Sequence, residues 1–119
     1  MRDYRNIKAH QLADRLVVEV YKVSREFPKD EMYGLTSQLR RAAVSVPANI
    51  AEGASRQHKK DCLQFLYISR GSLAEVGYLL ELANKINYFN NQQFVIIDDL
   101  QKETARTLFG LIQSVEKDI

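Results

Sequence analysis

At 119 residues, with 45% hydrophobic and 27% charged side chains, the chain has the make-up of one soluble globular domain built around a single core. Five glycines and two prolines leave little room for a turn-rich β architecture, and the lone cysteine, Cys62, excludes an internal disulfide and a cysteine-rich metal site. The net charge of +2 hides an asymmetry: residues 1–60 hold 12 Lys/Arg against 7 Asp/Glu, or +5, and residues 61–119 hold 5 against 8, or −3. A basic half of that size is a modest pointer to an anionic partner. Single-cysteine usage fits a reducing, cytoplasmic setting. The charged start (Arg2, Asp3, Arg5, Lys8) is not that of a signal peptide, and no apolar run approaches the roughly 18 to 20 residues that would cross a membrane.

Residues 1–6 are polar and are expected to be extended or frayed. A first helix is predicted from Lys8 to Glu26, with Leu12, Ala13, Leu16, Val17 and Val20 as its buried stripe and Val23 and Phe27 continuing it. Pro28 stops it, because the residue before a proline avoids the α region. Lys29 and Asp30 make the turn, and either Asp30 or Thr36 is a candidate cap for the second helix.

The stretch Gly34–Arg56 holds the second helix, which runs to about Gly53, its expected C-terminal cap. Leu35, Leu39, Ala43, Val46 and Ile50 are spaced four, four, three and four apart, one face of a helix. Pro47 lies inside that run and crowds the carbonyl of Ala43, which in an ordinary helix interior costs roughly 3 kcal/mol. Because the apolar phase passes through it without a slip, the expectation is a kink and not an end. Gln38, Arg41, Ser45, Asn49, Glu52 and Arg56 form an ordered polar stripe on the opposite side. Asn49 is placed to satisfy, directly or through another group, the Ala43 carbonyl that Pro47 frees, and Glu52 to meet Arg56 at i,i+4.

A short basic connection, Ala54 to Lys59, leads to a third helix from Lys60 to Asn87. Cys62, Leu66, Ser69, Leu73, Val76, Leu80 and Ala83 alternate four and three apart, the seam of coiled-coil-like packing. Phe65, Ile68, Leu79, Leu82 and Ile86 widen its apolar surface beyond one seam. Tyr67, Gly71, Ala74 and Tyr78 run at helical spacing away from the seam, and small residues flanked by tyrosines suit contact with a second copy of the chain. Asn90 and Asn91 are the turn and cap before a fourth helix, Gln92 to Lys117, with Ile97, Leu100, Thr104, Leu108, Leu111 and Val115 as its seam. Four amphipathic helices with short connections predict an all-α, up-down-up-down four-helix bundle, kinked in its second helix at Pro47, as one domain over residues 1–119.

Catalytic constellations are missing from the sequence. His10 and His58 are 48 residues apart, so no helical zinc motif forms, and neither has a Glu three residues before it. Gly71 and Gly77 fall inside the third helix and build no phosphate loop. No enzyme activity, metal or cofactor is expected. What remains is a set of cations for phosphate contact: Arg40, Arg41, Arg56, Lys59, Lys60 and Arg70, with His58 and Tyr67 as stacking groups.

The segments FPKDEMYGLTSQLRRAAVSVPANIAEGASR and FLYISRGSLAEVGYLLELA resemble the four-helix-bundle family of 23S ribosomal-RNA intervening-sequence proteins, which includes the accessory variability determinant of diversity-generating retroelements. The likeness covers nearly the whole chain. It implies a bacterial cytoplasmic homopentamer with a basic surface, and, in retroelement members, binding to RNA or DNA and to a reverse transcriptase. Matching positions are Arg40, Arg41, Pro47, Asn49, Glu52, Gly53, Arg56, Gly71, Ser72 and Glu75. Asn49, Glu52 and Glu75 read as structural polar residues, with Glu75 able to accept from an arginine of the second helix. The expectation is a non-enzymatic oligomeric scaffold associated with nucleic acid. The alternative is a homo-oligomer that recruits a protein such as a reverse transcriptase and has no direct nucleic-acid role.

Overall fold

The structure, a computed structural model, describes residues 3–119, so the expectation for Met1 and Arg2 lies outside it. Asp3 caps a short 3-10 turn, Tyr4–Asn6, by accepting from the backbone N–H of Arg5. Four helices follow: α1 (Lys8–Ser24), α2 (Leu35–Ala54), α3 (Lys59–Lys85) and α4 (Asn91–Lys117), with a second 3-10 turn, Lys29–Glu31, before α2. Each of α1 and α3 packs on both α2 and α4, and neither diagonal pair meets, which is the square arrangement of an up-down-up-down bundle. The 27 residues of α3 and of α4 set the long dimension of 45 Å at the usual helical rise.

Each helix contributes three of the largest fully buried side chains: Leu12, Leu16 and Val20; Leu39, Val46 and Ile50; Leu66, Leu73 and Leu80; Ile97, Leu108 and Ile112. The α3 seam from Cys62 to Ala83 is buried throughout. α2 runs unbroken on both sides of Pro47, with Val46 and Ile50 fully buried, so the proline neither ends the helix nor turns its stripe outward.

The ends differ from expectation in instructive ways. α1 stops at Ser24, two residues early. The backbone N–H groups of Glu26 and Phe27 bond the carbonyls of Val23 and Ser24, winding the last turn tighter ahead of Pro28. Neither Asp30 nor Thr36 caps α2. Thr36 is buried within the helix, and the cap position is Gly34, while Glu31 Oε1 accepts from the Leu35 N–H at 3.2 Å. Gly53 is helical and is not the cap; Ser55 is. A Cβ at Gly53 would lie 3.0 Å from the Cys62 carbonyl oxygen and 3.3 Å from Phe65 Cβ, so the glycine serves the approach of α3. α3 ends at Lys85, and Asn87 takes a left-handed φ of 64° as the chain reverses. Asn90 then caps α4 in a reciprocal box with Gln93.

Polar groups inside the bundle are spent on its own backbone. Ser69 Oγ donates to the Val46 carbonyl at 2.9 Å, Gln101 Nε2 to that of Leu73 at 3.1 Å, and Thr104 Oγ1 to that of Leu100 at 2.7 Å. Among the described residues no buried side-chain polar atom lacks a partner, the condition for a unique core.

Candidate functional site

The cations of the sequence-derived set divide into three places. One group occupies the corner where α2 ends and α3 begins. Ser55 closes α2 by donating its N–H to the carbonyls of Ala51 and Glu52, the Arg56 N–H donates to that of Gly53, and Ser55 Oγ donates to the Glu52 carbonyl at 2.7 Å. With α3 drawn against Gly53, four residues suffice for the reversal; Arg56 lies on it, and Lys59 and Lys60 open α3 directly after it. Arg56 donates to Glu52 Oε2 at 3.1 Å and lies over the Phe65 ring, 4.5 Å from its centroid. Lys59 Nζ is 3.3 Å from Asp118 Oδ2. Lys60 is exposed and makes no ion pair among the described residues. His58, also exposed, precedes α3 without capping it.

Arg41 is the second place. It is exposed on α2, thirteen residues and therefore about 20 Å of helical rise before the end of the helix at Ala54. It lines a polar hollow of about 480 Å³ between α2 and α3, together with Tyr33, Ser37, Gln38, Ser45, Ser72 and Glu75. The hollow is internally bonded. Ser45 and Ser72 share a hydroxyl bond of 2.8 Å, and Gln38 Nε2 donates to Glu75 Oε2 at 3.2 Å. Glu75 thus takes its bond from a glutamine, where an arginine was expected. Asn49 Nδ2 donates to the carbonyl and the Oγ of Ser45, at 2.8 and 2.9 Å, and not to the Ala43 carbonyl. A helical side chain leans back about one turn, which brings Ser45 within reach and leaves Ala43, six residues back, too far.

Arg40 and Arg70 go elsewhere. Arg40 is rotated by about 100° from Arg41 and faces α1. Its Nε donates to Ser24 Oγ at 2.8 Å, and its guanidinium sits 4.7 Å from the Tyr21 ring centroid. Arg70 is exposed on α3 over Tyr67, at 5.0 Å. Tyr67 in turn donates its hydroxyl to Glu116 Oε2 at 2.6 Å, and that carboxylate holds the phenol above its ordinary pKa. The four residues expected to meet a second copy are placed as follows. Tyr67 is half-buried and tied to α4. Ala74 is exposed, Tyr78 is 61% exposed, and a Cβ on Gly71 would have no heavy atom within 4 Å.

Three features escaped the sequence reading. The Lys59–Asp118 and Arg56–Phe65 contacts join residues outside any local pattern. A groove of about 710 Å³ between α1 and α4 exposes Val18 and Ile96 among Asp14, Glu19, Asp99 and Glu103. Ile96 and also Phe109, which is 55% exposed, were visible as apolar residues off the α4 seam. Among the described residues no three His, Cys, Asp or Glu side chains gather as a metal site, and no helix is long and apolar enough to cross a membrane.

The family model for 23S rRNA-intervening sequence proteins matches residues 5–110. A crystal structure from Bacteroides thetaiotaomicron, of a protein with unknown function from the S23 ribosomal protein family, superimposes with a TM-score of 0.81. It is 22% identical, and the match covers 88% of this chain and 95% of that one. No curated protein matches the chain.

Proposed function

We propose that this chain, which belongs to the family of 23S rRNA-intervening sequence proteins, works as a non-enzymatic scaffold that holds nucleic-acid backbone on its cationic α2–α3 surface. The observation that carries the reading is the α2–α3 corner. Arg56 on the reversal and Lys59 and Lys60 at the start of α3 follow one another closely in the chain, with Lys60 free of any ion pair among the described residues. Arg41 adds a fourth cation, on α2. Such contacts read phosphate and not base, so little sequence preference is expected. Assembly of several copies repeats the corner and multiplies a weak contact.

The test is a salt titration of RNA and DNA binding by fluorescence anisotropy. Wild type is compared with the triple variant Arg41→Ala/Lys59→Ala/Lys60→Ala, after equal folding and particle mass are established. Each lost phosphate contact flattens the slope of log K against log salt by about 0.7 to 0.9. An unchanged affinity and slope overturn the proposal.

A second reading is favoured by the outer face of α3. Gly71 has open space before it, and Tyr78 is 61% exposed. A helix-interior glycine costs roughly 0.5–1 kcal/mol relative to alanine, and nothing inside the chain repays that at Gly71. In this reading the chain is a homo-oligomer, fivefold by resemblance, that recruits a protein partner such as a reverse transcriptase. Assembly without salt-sensitive nucleic-acid binding selects it over the first.

A further inference from the structure

At the end of the bundle where α2 finishes and α3 begins, the core does not close. A cavity of about 300 Å³ is walled by Ile7, Ile50, Leu66, Leu111 and Val115, so the segment ahead of α1 and the other three helices all contribute. That volume is at the lower end of the range for small-molecule sites. Apart from Cys62 and Ser114 its inner walls are hydrocarbon, and no buried side-chain polar atom among the described residues is left wanting a partner. The part of an occupant that enters must therefore be apolar too, since a polar group inside would lose its water without replacement.

The mouth is charged. Lys59, the first residue of α3, holds its Nζ 3.3 Å from Oδ2 of Asp118, the residue that caps the end of α4, and both line the opening. The two charges are not held equally. Lys59 belongs to the first turn of α3, whereas Asp118 lies past the last turn of α4 and is exposed. The carboxylate is the half that can move aside. The first-turn amides of α3 also favour a negative group beside Lys59. Asp118 already shows that the mouth takes a carboxylate at this spot.

We propose that this cavity binds a medium-chain aliphatic monocarboxylate, its chain among the apolar walls and its carboxylate on Lys59 in place of that of Asp118. Binding is reversible and forms no covalent bond. It is independent of nucleic acid, and is measured without it, so its failure and that of the scaffold reading are separable.

Isothermal titration of the whole chain with octanoate, octylamine and 1-octanol, all below micelle formation, tests it. Octanoate is expected to bind saturably at one site per chain, at least about tenfold more tightly than the other two. Asp118→Asn removes the competing carboxylate and should tighten octanoate binding several-fold. Lys59→Met should weaken it by about tenfold or more. Ser114 is exposed on α4 and lines the cavity, so Ser114→Phe should block entry while the far-UV circular dichroism and melting temperature stay as in wild type. The proposal is overturned by absence of saturable octanoate binding. It is equally overturned by equal binding of octylamine, by an Asp118→Asn affinity no better than wild type, or by undiminished binding to Ser114→Phe.

Discussion

The Tyr88 hydroxyl donates to Glu31 Oε2 at 2.5 Å across 57 residues of sequence, while Glu31 Oε1 takes the N–H of Leu35 at 3.2 Å. One carboxylate therefore caps α2 and ties the turn before it to the α3–α4 connection. Both titrations respond. The Tyr88 and Leu35 bonds hold the Glu31 carboxyl below its ordinary 4.5, and the Glu31 carboxylate pushes the Tyr88 phenol from 10.0 up to about 12.

The signs follow from linkage. Glu31, with its pKa lowered by folding, contributes stability that is present above about 4.5 and lost as pH falls. Tyr88, with its pKa raised, contributes stability that is present below 10.0 and lost as pH rises through about 12. The melting-temperature gap between wild type and Tyr88→Phe should be widest between about pH 5 and 9 and shrink on both sides. Melts of wild type, Tyr88→Phe and Glu31→Gln across pH check it; a gap that ignores pH removes the clamp.

Two glycines inside helices should respond oppositely to alanine. At Gly53 the new Cβ meets the Cys62 carbonyl oxygen at 3.0 Å. Overpacking of about 1–3 kcal/mol then outweighs the roughly 1 kcal/mol helix-propensity gain, so Gly53→Ala should destabilise. At Gly71 nothing lies within 4 Å, and Gly71→Ala should stabilise the monomer by about 0.5–1 kcal/mol. Urea denaturation of both variants gives the two signs.

Gly71→Leu tests assembly on the same face. If a second chain approaches the α3 backbone there, the leucine should lower the particle mass seen by light scattering. An unchanged mass takes Gly71 out of the interface. A wild-type monomer at tens of micromolar, roughly the scale of a weak association, removes the oligomer.

His10 packs edge-on against Tyr4 with ring centroids 4.7 Å apart. Burial pulls its pKa below the ordinary 6.5, with Asp14 opposing only in part. The unfolded chain therefore takes up the proton first, and stability should decline as pH falls below about 6.5. His10→Gln should flatten that limb of the melting-temperature profile.

Most of the fold was legible because helical spacing is a local signal. The seven seam residues of α3 are all buried. The α4 seam was followed one step too rigidly: Ile112 is fully buried while Leu111 and Val115 are partly exposed, as a straight helix drifts from a seven-residue repeat. Caps were harder, since Glu31 and Ser55 act through geometry that residue type alone does not reveal. The site was legible only as residue types. Arg40 and Arg41 are neighbours in sequence but face different helices, and Lys59 meets Asp118 from the far end of the chain. The bend at Pro47 stays an expectation, checked by comparing helix-axis directions before and after Pro47 with those in Pro47→Ala.

The four-residue reversal at residues 55–58 also bears on kinetics. It joins two helices already stitched by Ser45–Ser72, Ser69–Val46 and the Gly53–Cys62 approach. Closing so short a loop costs little entropy, and contacts near in sequence form early. The α2–α3 hairpin is therefore expected to be the folding nucleus, with Ser69→Ala mainly slowing refolding and Leu16→Ala in α1 mainly speeding unfolding. Chevron plots of the two variants separate these arms. A chain emerging during synthesis would then hold its topology-setting pair before α4 exists, and α4 would arrive on a surface already waiting for it.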